Sequence, residues 1–197
     1  MSNFDKKNDP TGWNLSVDRV HTYAYLNNLF TSDECKKIIE IANQKGMEKG
    51  ETVGKSDVRL SEICWLFPIN DMVWAYEKIT SAVKHLNEQF FQFDIFSFNE
   101  GLQFTNYKAP GGHYGKHVDR IFNTAVRKLS LSIQLTDPKE YEGGELILYE
   151  SNEEGETMQK EQGTLILFPS YVMHEVKPIT KGERNSLVGW VTGNQFK

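Results

Sequence analysis

Apolar positions recur with a helical period through the first half of the chain and with a period of two through the second. Residues 1 to about 16 are polar and contain Asn8-Asp9-Pro10-Thr11-Gly12, which predicts a loose tail ahead of the strand-like run Val20 to Leu26. Thr31 followed by Glu34 is a capping-box pattern, and Cys35, Ile38, Ile39 and Ala42 then recur at helical spacing until Gly46. A helix over about 32–45 is expected. Lys49 to Asp57 is polar and glycine-bearing and predicts a mobile loop, a candidate lid, while Ile63 to Phe67 before Pro68 predicts a short strand. Met72, Ala75, Tyr76, Ile79, Val83, Leu86 and Phe90 trace the apolar stripe of a second helix.

Beyond residue 101 the alternation predicts seven strands: 102–107, 113–119, 128–135, 145–149, 164–168, 173–178 and 186–192. Turn signals separate them at Pro110-Gly111-Gly112, Gly143-Gly144, Pro169-Ser170 and Lys181-Gly182. Helices followed by strands predict a mostly β fold, a double-stranded β-helix (jelly roll) buttressed on one face by the N-terminal helices. The organisation expected is a flexible tail over 1–16 and a single domain over 17–197. Within that domain the helical support covers about 27–95 and the jelly-roll core about 100–193.

Composition narrows the classes. With 197 residues and 39% hydrophobic content, one domain with a substantial core is expected. A net charge of −5 gives no general attraction to nucleic acid or to anionic lipid, so neither is expected as a partner. The first residues lack a signal-peptide core, and no apolar run is long enough to span a bilayer, which predicts a soluble, cytoplasmic protein. Cys35 and Cys64 have neither metal-site nor disulfide spacing and read as buried free thiols. Oligomeric state is not legible.

The candidate chemistry lies in His117-Val118-Asp119, His174 and Arg184. Side chains at i and i+2 of a strand share a face, so His117 and Asp119 would point together into a cavity. His174, in the strand-like run Tyr171 to Val176, would complete a set of two imidazoles and one carboxylate, which suits Fe(II) with open coordination positions. H-x-D alone is a weak signal, since such pairs often decorate exposed strands. Arg184 strengthens it. If Met173–Pro178 and Arg184–Thr192 pair as a hairpin, His174 lies opposite Val188, and Arg184 lies on the same face roughly 13 Å along the strand. An extended five-carbon diacid would fill that gap, with its distal carboxylate on the planar guanidinium. His113, at an even spacing from His117, would be a rim or surface group; His21 and His85 have no supporting spacing. Trp190 shares the parity of Arg184 and would pack at the cavity base.

In these motifs the chain resembles the Fe(II)- and 2-oxoglutarate-dependent oxygenases of the prolyl 4-hydroxylase-like group. The similarity runs from Leu29 to Cys35, through Val58-Arg59-Leu60-Ser61 and Trp65-Leu66, to Tyr107 upstream of H-x-D. It continues through Tyr141 to Leu146, Gly163, Phe168-Pro169-Ser170, His174 and Gly182-Glu183-Arg184. The resemblance implies a dioxygenase that uses O2, with ascorbate as a reductant. It assigns His117, Asp119 and His174 to iron, Arg184 to the distal carboxylate of 2-oxoglutarate, and Tyr107 to the cofactor pocket. The reaction implied is oxidative decarboxylation to succinate and CO2 coupled to hydroxylation of a C–H bond, for which a prolyl residue in a peptide or protein is the first candidate. Arg59, Trp65 and the 49–57 loop are candidate substrate contacts.

Two departures bear on substrate. Collagen-type prolyl hydroxylases carry lysine at the position of Arg184, and animal oxygen sensors carry tyrosine at the position of Gln134. Ser132 and Gln134 alternate with the leucines of 129–135, a spacing that fits either a pocket wall or a solvated face. Other readings remain open at this stage: an oxygenase acting on another side chain or a small molecule, a zinc or manganese jelly-roll enzyme without oxidative chemistry, and a sensor that binds metal or 2-oxoglutarate without turnover. Arg184 has no use in a hydrolase or isomerase, and no ligand is missing as a sensor would suggest.

Overall fold

The computed structural model describes residues 21–50, 58–119, 126–150 and 153–194. The predicted tail and most of the 49–57 loop lie outside these residues. In chain order the elements begin with β1 (Ala24–Leu26), α1 (Ser32–Lys45), β2 (Glu48–Lys49), β3 (Arg59–Leu60), β4 (Glu62–Leu66), α2 (Val73–Leu86) and β5 (Ile95–Phe98). There follow β6 (Leu102–Lys108), β7 (His113–His117), β8 (Arg127–Gln134), β9 (Glu142–Gly143), β10 (Leu146–Tyr149) and β11 (Glu156–Thr157). The last are β12 (Leu165–Pro169), β13 (Met173–Val176), β14 (Ile179–Lys181) and β15 (Glu183–Gly193).

Local sequence explains the first helix. Thr31 accepts a hydrogen bond from the Glu34 amide while the Glu34 carboxylate accepts from the Thr31 amide, so the predicted capping box is complete. Cys35, Ile38 and Ala42 then form a buried face. The second helix follows its stripe through Leu86, where a π-turn over Asn87–Phe91 widens the spiral. That turn shifts the phase, and Phe90, expected on the core stripe, is exposed.

Apart from β9 and β14, which pair with each other, the strands form two facing sheets. The larger has eight strands, ordered β1-β12-β8-β15-β6-β4-β2 with β5 also paired to β15, and the smaller is β11-β10-β13-β7-β3. This is the expected double-stranded β-helix with helical support. Apolar residues of α1, α2 and one face of the large sheet make one core, including Cys35, Ile38, Ile79, Leu129, Leu131, Ile133, Leu165, Leu167 and Leu187. Between the sheets lies a second cluster that includes Tyr107, Tyr141, Leu146, Leu148, Ile166, Phe168, Val172 and Val176. Both cysteines are free and buried. Among the described residues, no helix is long and apolar enough to cross a membrane.

The hairpin inferred between the His174 and Arg184 strands does not form. β13 pairs with β10 and β7 in the small sheet, whereas β15 pairs with β8, β6 and β5 in the large one. Arg184 reaches the cavity because the two sheets face each other, and its strand parity relative to His174 has no bearing on this.

Candidate metal and dicarboxylate site

Three potential ligands converge at the end of the small sheet. His117 and His174 are directly paired across β7 and β13, which brings their rings to 4.1 Å between centroids. Asp119 follows the end of β7, and its amide donates to the Ser170 carbonyl at 3.1 Å. The ligating atoms of the three residues all lie within 4.8 Å of one another. His117 Nε2 is 3.6 Å from Asp119 Oδ1, and His174 Nε2 is 3.4 Å from Oδ2. Metal bonds of about 2.0–2.2 Å to a common centre call for donor separations of about 3–4 Å, so the set fits a cation bound from one side.

Backbone carbonyls set the tautomers. Nδ1–H of His117 donates to Gly115 O at 2.8 Å and Nδ1–H of His174 to Val172 O at 3.0 Å, leaving each Nε2 lone pair directed at the gap. Burial, followed by repulsion from His174, lowers the His117 pKa to about 4, so its imidazole is neutral at physiological pH. Burial alone would raise the Asp119 carboxyl. The two histidines and contacts from Ser130 and Trp190 outweigh that effect and hold it below its ordinary range. A neutral His117 imidazole and an ionised Asp119 carboxylate are the forms a metal needs.

A β-bulge shapes this end of the sheet. Between the pairs His174↔His117 and Val176↔Tyr114, β7 spends one more residue than β13. Parity therefore flips within β7, and Tyr114 faces the cavity instead of His113. Its ring stacks on His117 with centroids 3.6 Å apart and planes 12° from parallel. His113 Nδ1 instead bonds the Gly111 carbonyl at 2.7 Å.

Facing the ligands across the cavity, β15 and its neighbours carry a polar cluster. Arg184 is 1% exposed, among the largest fully buried side chains. Nη2 donates to Gln134 Oε1 at 2.8 Å and Nη1 to Ser186 Oγ at 3.4 Å, while its guanidinium carbon lies 5.6 Å from the Tyr107 ring centre. Nε has no hydrogen-bond partner, and no described carboxylate pairs with the group. A buried guanidinium held only by neutral groups is costly unless an anion joins it. Gly144, at φ +66°, makes room for it: a Cβ there would lie 2.2 Å from Ile179 Cδ1 and 3.1 Å from Arg184 Cδ. The dicarboxylate predicted from sequence fits this orphaned cation.

The cavity is lined by His117, Asp119, His174, Arg184, Tyr107, Ser132 and Arg59 among others, which gathers most of the sequence-predicted candidates in one place. Gln134 contributes through its bond to Arg184. Trp65 is not among the lining residues; its ring sits 6.1 Å from Trp190, which is. Sequence reasoning missed Tyr114, Gln103, Thr105 and Phe168 as wall residues. It also missed Arg127, whose Nη1 donates to the Asp119 carbonyl at 3.2 Å while Nε and Nη2 grip Glu100. Gly115, a glycine inside a strand, was the one available sign of the bulge.

Comparison with known proteins agrees with this geometry. Residues 102–192 match the model of the 2OG-Fe(II) oxygenase superfamily. This part of the chain, which is similar to that superfamily, contains all three potential metal ligands and Arg184. A PKHD-type hydroxylase of Prochlorococcus marinus strain MIT 9312 is 42% identical over 92 residues, covering 46% of this chain and 41% of that protein. The chain thus spans about two fifths of the length of such a relative. Among solved structures, a Pseudomonas putida prolyl-4-hydroxylase superposes with a TM-score of 0.71 at 21% identity, over 89% of this chain and 94% of that one. A Trichoplax adhaerens prolyl hydroxylase, solved with a peptide fragment of the hypoxia inducible factor oxygen degradation domain, gives 0.73 at 18% identity, over 87% and 84%. These two show that the fold is shared.

Proposed function

We propose that this protein is an Fe(II)- and 2-oxoglutarate-dependent dioxygenase that hydroxylates a substrate C–H bond, with a prolyl residue in a peptide or protein as the substrate. The observation that carries the reading is the pairing of a His117–Asp119–His174 donor set with a buried, carboxylate-free Arg184 across one cavity. When bound, Fe(II) with 2-oxoglutarate and O2 supplies oxidative decarboxylation to succinate and CO2 coupled to substrate hydroxylation. The protein's part is positional. His117, Asp119 and His174 hold the metal from one side and leave its other positions open. Arg184 takes the distal carboxylate, and Gln134 and Ser186 fix the plane of the guanidinium. Tyr107 and Ser132 line the same pocket, and Phe168, Leu146 and Trp190 provide apolar wall that keeps water from the reacting atoms.

The peptide substrate rests on the relatives: the hydroxylases above share sequence or fold with this chain, and one was solved with a peptide. Incubation with proline-containing peptides, Fe(II), 2-oxoglutarate and ascorbate as reductant tests it. One oxygen atom should be added to proline, and succinate should form faster than with free proline. If no peptide gains oxygen while succinate still forms without substrate, the oxygenase reading stands and the prolyl reading falls.

A further inference from the structure

The cavity contains a second buried arginine whose charge the proposed cofactors leave unmatched. Arg59, on β3, is 8% exposed and lines the wall near His117. Nε donates to Ser61 Oγ at 2.7 Å and Nη2 to Gln103 Oε1 at 2.8 Å. The guanidinium carbon lies 4.8 Å from the centre of the Tyr114 ring, which in turn stacks on His117 at 3.6 Å. Gly50 covers it closely, since a Cβ there would lie 2.9 Å from Nε. Every one of these partners is neutral, and among the described residues no carboxylate pairs with Arg59. Nη2 also donates to Thr105 Oγ1 at 3.5 Å and Nη1 has no hydrogen bond to a described residue, which leaves two of the five guanidinium N–H groups without a partner among the described residues.

Charge counting decides what these N–H groups await. Among the described residues lining the cavity, the permanent cations are Arg59 and Arg184 and the carboxylate is Asp119. Fe(II) and the 2-oxoglutarate dianion cancel each other. Counted over the described residues, the loaded cavity keeps one buried positive charge, with Arg59 set two stacked rings away from the metal position. A buried charge without a counter-charge is strongly disfavoured, and a guanidinium with a free amino group matches a carboxylate in both charge and geometry.

We infer that Arg59 is a specificity-determining residue that binds a carboxylate of the substrate, a few bonds from the carbon that is oxidised. The inference rests on the oxygenase reading and deepens it. The carboxylate has two sources in a prolyl substrate: the α-carboxylate of a terminal proline, or an acidic side chain beside an internal one. It also explains why Arg59 is tied to its neighbours through Nε and Nη2, which orients the group while Nη1 stays available.

Paired probes test this even while the natural substrate is unidentified. N-acetyl-proline is compared with N-acetylprolinamide, and N-acetyl-Pro-Glu-amide with N-acetyl-Pro-Gln-amide. Affinity for the anaerobic protein loaded with Fe(II) and 2-oxoglutarate is measured by calorimetry. In at least one pair the acid should bind roughly ten- to a hundredfold tighter than its neutral twin, the range of a charge-assisted hydrogen bond. The pair that discriminates identifies the source. Arg59→Gln should abolish the discrimination, and Arg59→Lys should retain part of it. Equal binding within both pairs, or no binding by any probe, overturns the inference. So does discrimination that persists in Arg59→Gln. Failure of the oxygenase reading is seen separately, as absence of succinate formation from 2-oxoglutarate by the wild-type protein in air.

Discussion

On β8, Leu129, Leu131 and Ile133 join the apolar layer shared with α1 and α2, whereas alternate residues meet polar partners. Ser130 bonds Ser170, Ser132 lines the cavity and Gln134 holds Arg184. One strand thus serves two regions with opposite physics. Toward the helices the contacts are apolar ones made within the protein itself, and the layer's contribution is stability. Toward the small sheet, the alternate positions meet groups such as the Arg184 guanidinium of β15, whose Nε has no partner among the described residues. That side carries a desolvation cost until ligands arrive. Substitutions on the two sides should therefore separate cleanly into loss of stability and loss of binding.

The largest effect should follow removal of a metal ligand. Asp119→Ala, His117→Ala or His174→Ala should abolish Fe(II)-dependent succinate formation. Losing even an outer partner of a metal site typically costs roughly 10- to 100-fold, and a direct ligand costs more. Melting of the metal-free protein should change little. Normal bound iron and turnover in any one variant would remove that residue from the set. On the other face, Ile133→Ala should lower stability by about 2–5 kcal/mol through lost burial and a residual cavity, read by denaturant unfolding. Its Fe(II) affinity should be unchanged where the protein is folded.

A smaller and more selective effect is expected for Arg184→Ala. Iron binding should persist while 2-oxoglutarate affinity falls by roughly ten- to a hundredfold, corresponding to about 1.5–3 kcal/mol for a charge-assisted hydrogen bond. Unfolding free energy should not fall in proportion, because the arginine has no carboxylate partner among the described residues. Smallest is Thr31→Ala, which removes the capping box and should cost about 1 kcal/mol of stability with no change in ligand affinity. A loss of 2-oxoglutarate binding in that variant would blur the separation of the two regions.

What the sequence revealed divides along the line between local and long-range physics. The α1 cap, the helix period and the strand alternation depend on near neighbours, and the structure reproduces them with small shifts at the ends. The pairing of β13 with β10 and β7 joins segments separated by other strands, and no short-range signal in β13 could reject a hairpin with β15. His117, Asp119, His174 and Arg184 meet in the cavity despite that wrong intermediate, because sheets packed face to face bring both sets of inward residues together. Tyr114 was hidden by the bulge, whose extra residue reverses the alternation on which parity reasoning depends. Phe90 was misplaced for the equivalent reason in a helix, the π-turn after Leu86. Arg59 was legible as a candidate contact, but its isolation from any described carboxylate required the packed structure.

The central claim is that one cavity holds a metal by His117, Asp119 and His174 and a dicarboxylate by Arg184. Anaerobic titration with Fe(II), then with 2-oxoglutarate, followed by visible absorption, tests both halves at once. The wild-type protein should develop the metal-to-ligand charge-transfer band of a chelated 2-oxo acid only when both are present. His174→Ala should show no band, and Arg184→Ala should show it only at much higher 2-oxoglutarate. A wild-type protein that binds Fe(II) yet develops no band at any 2-oxoglutarate concentration would contradict the account.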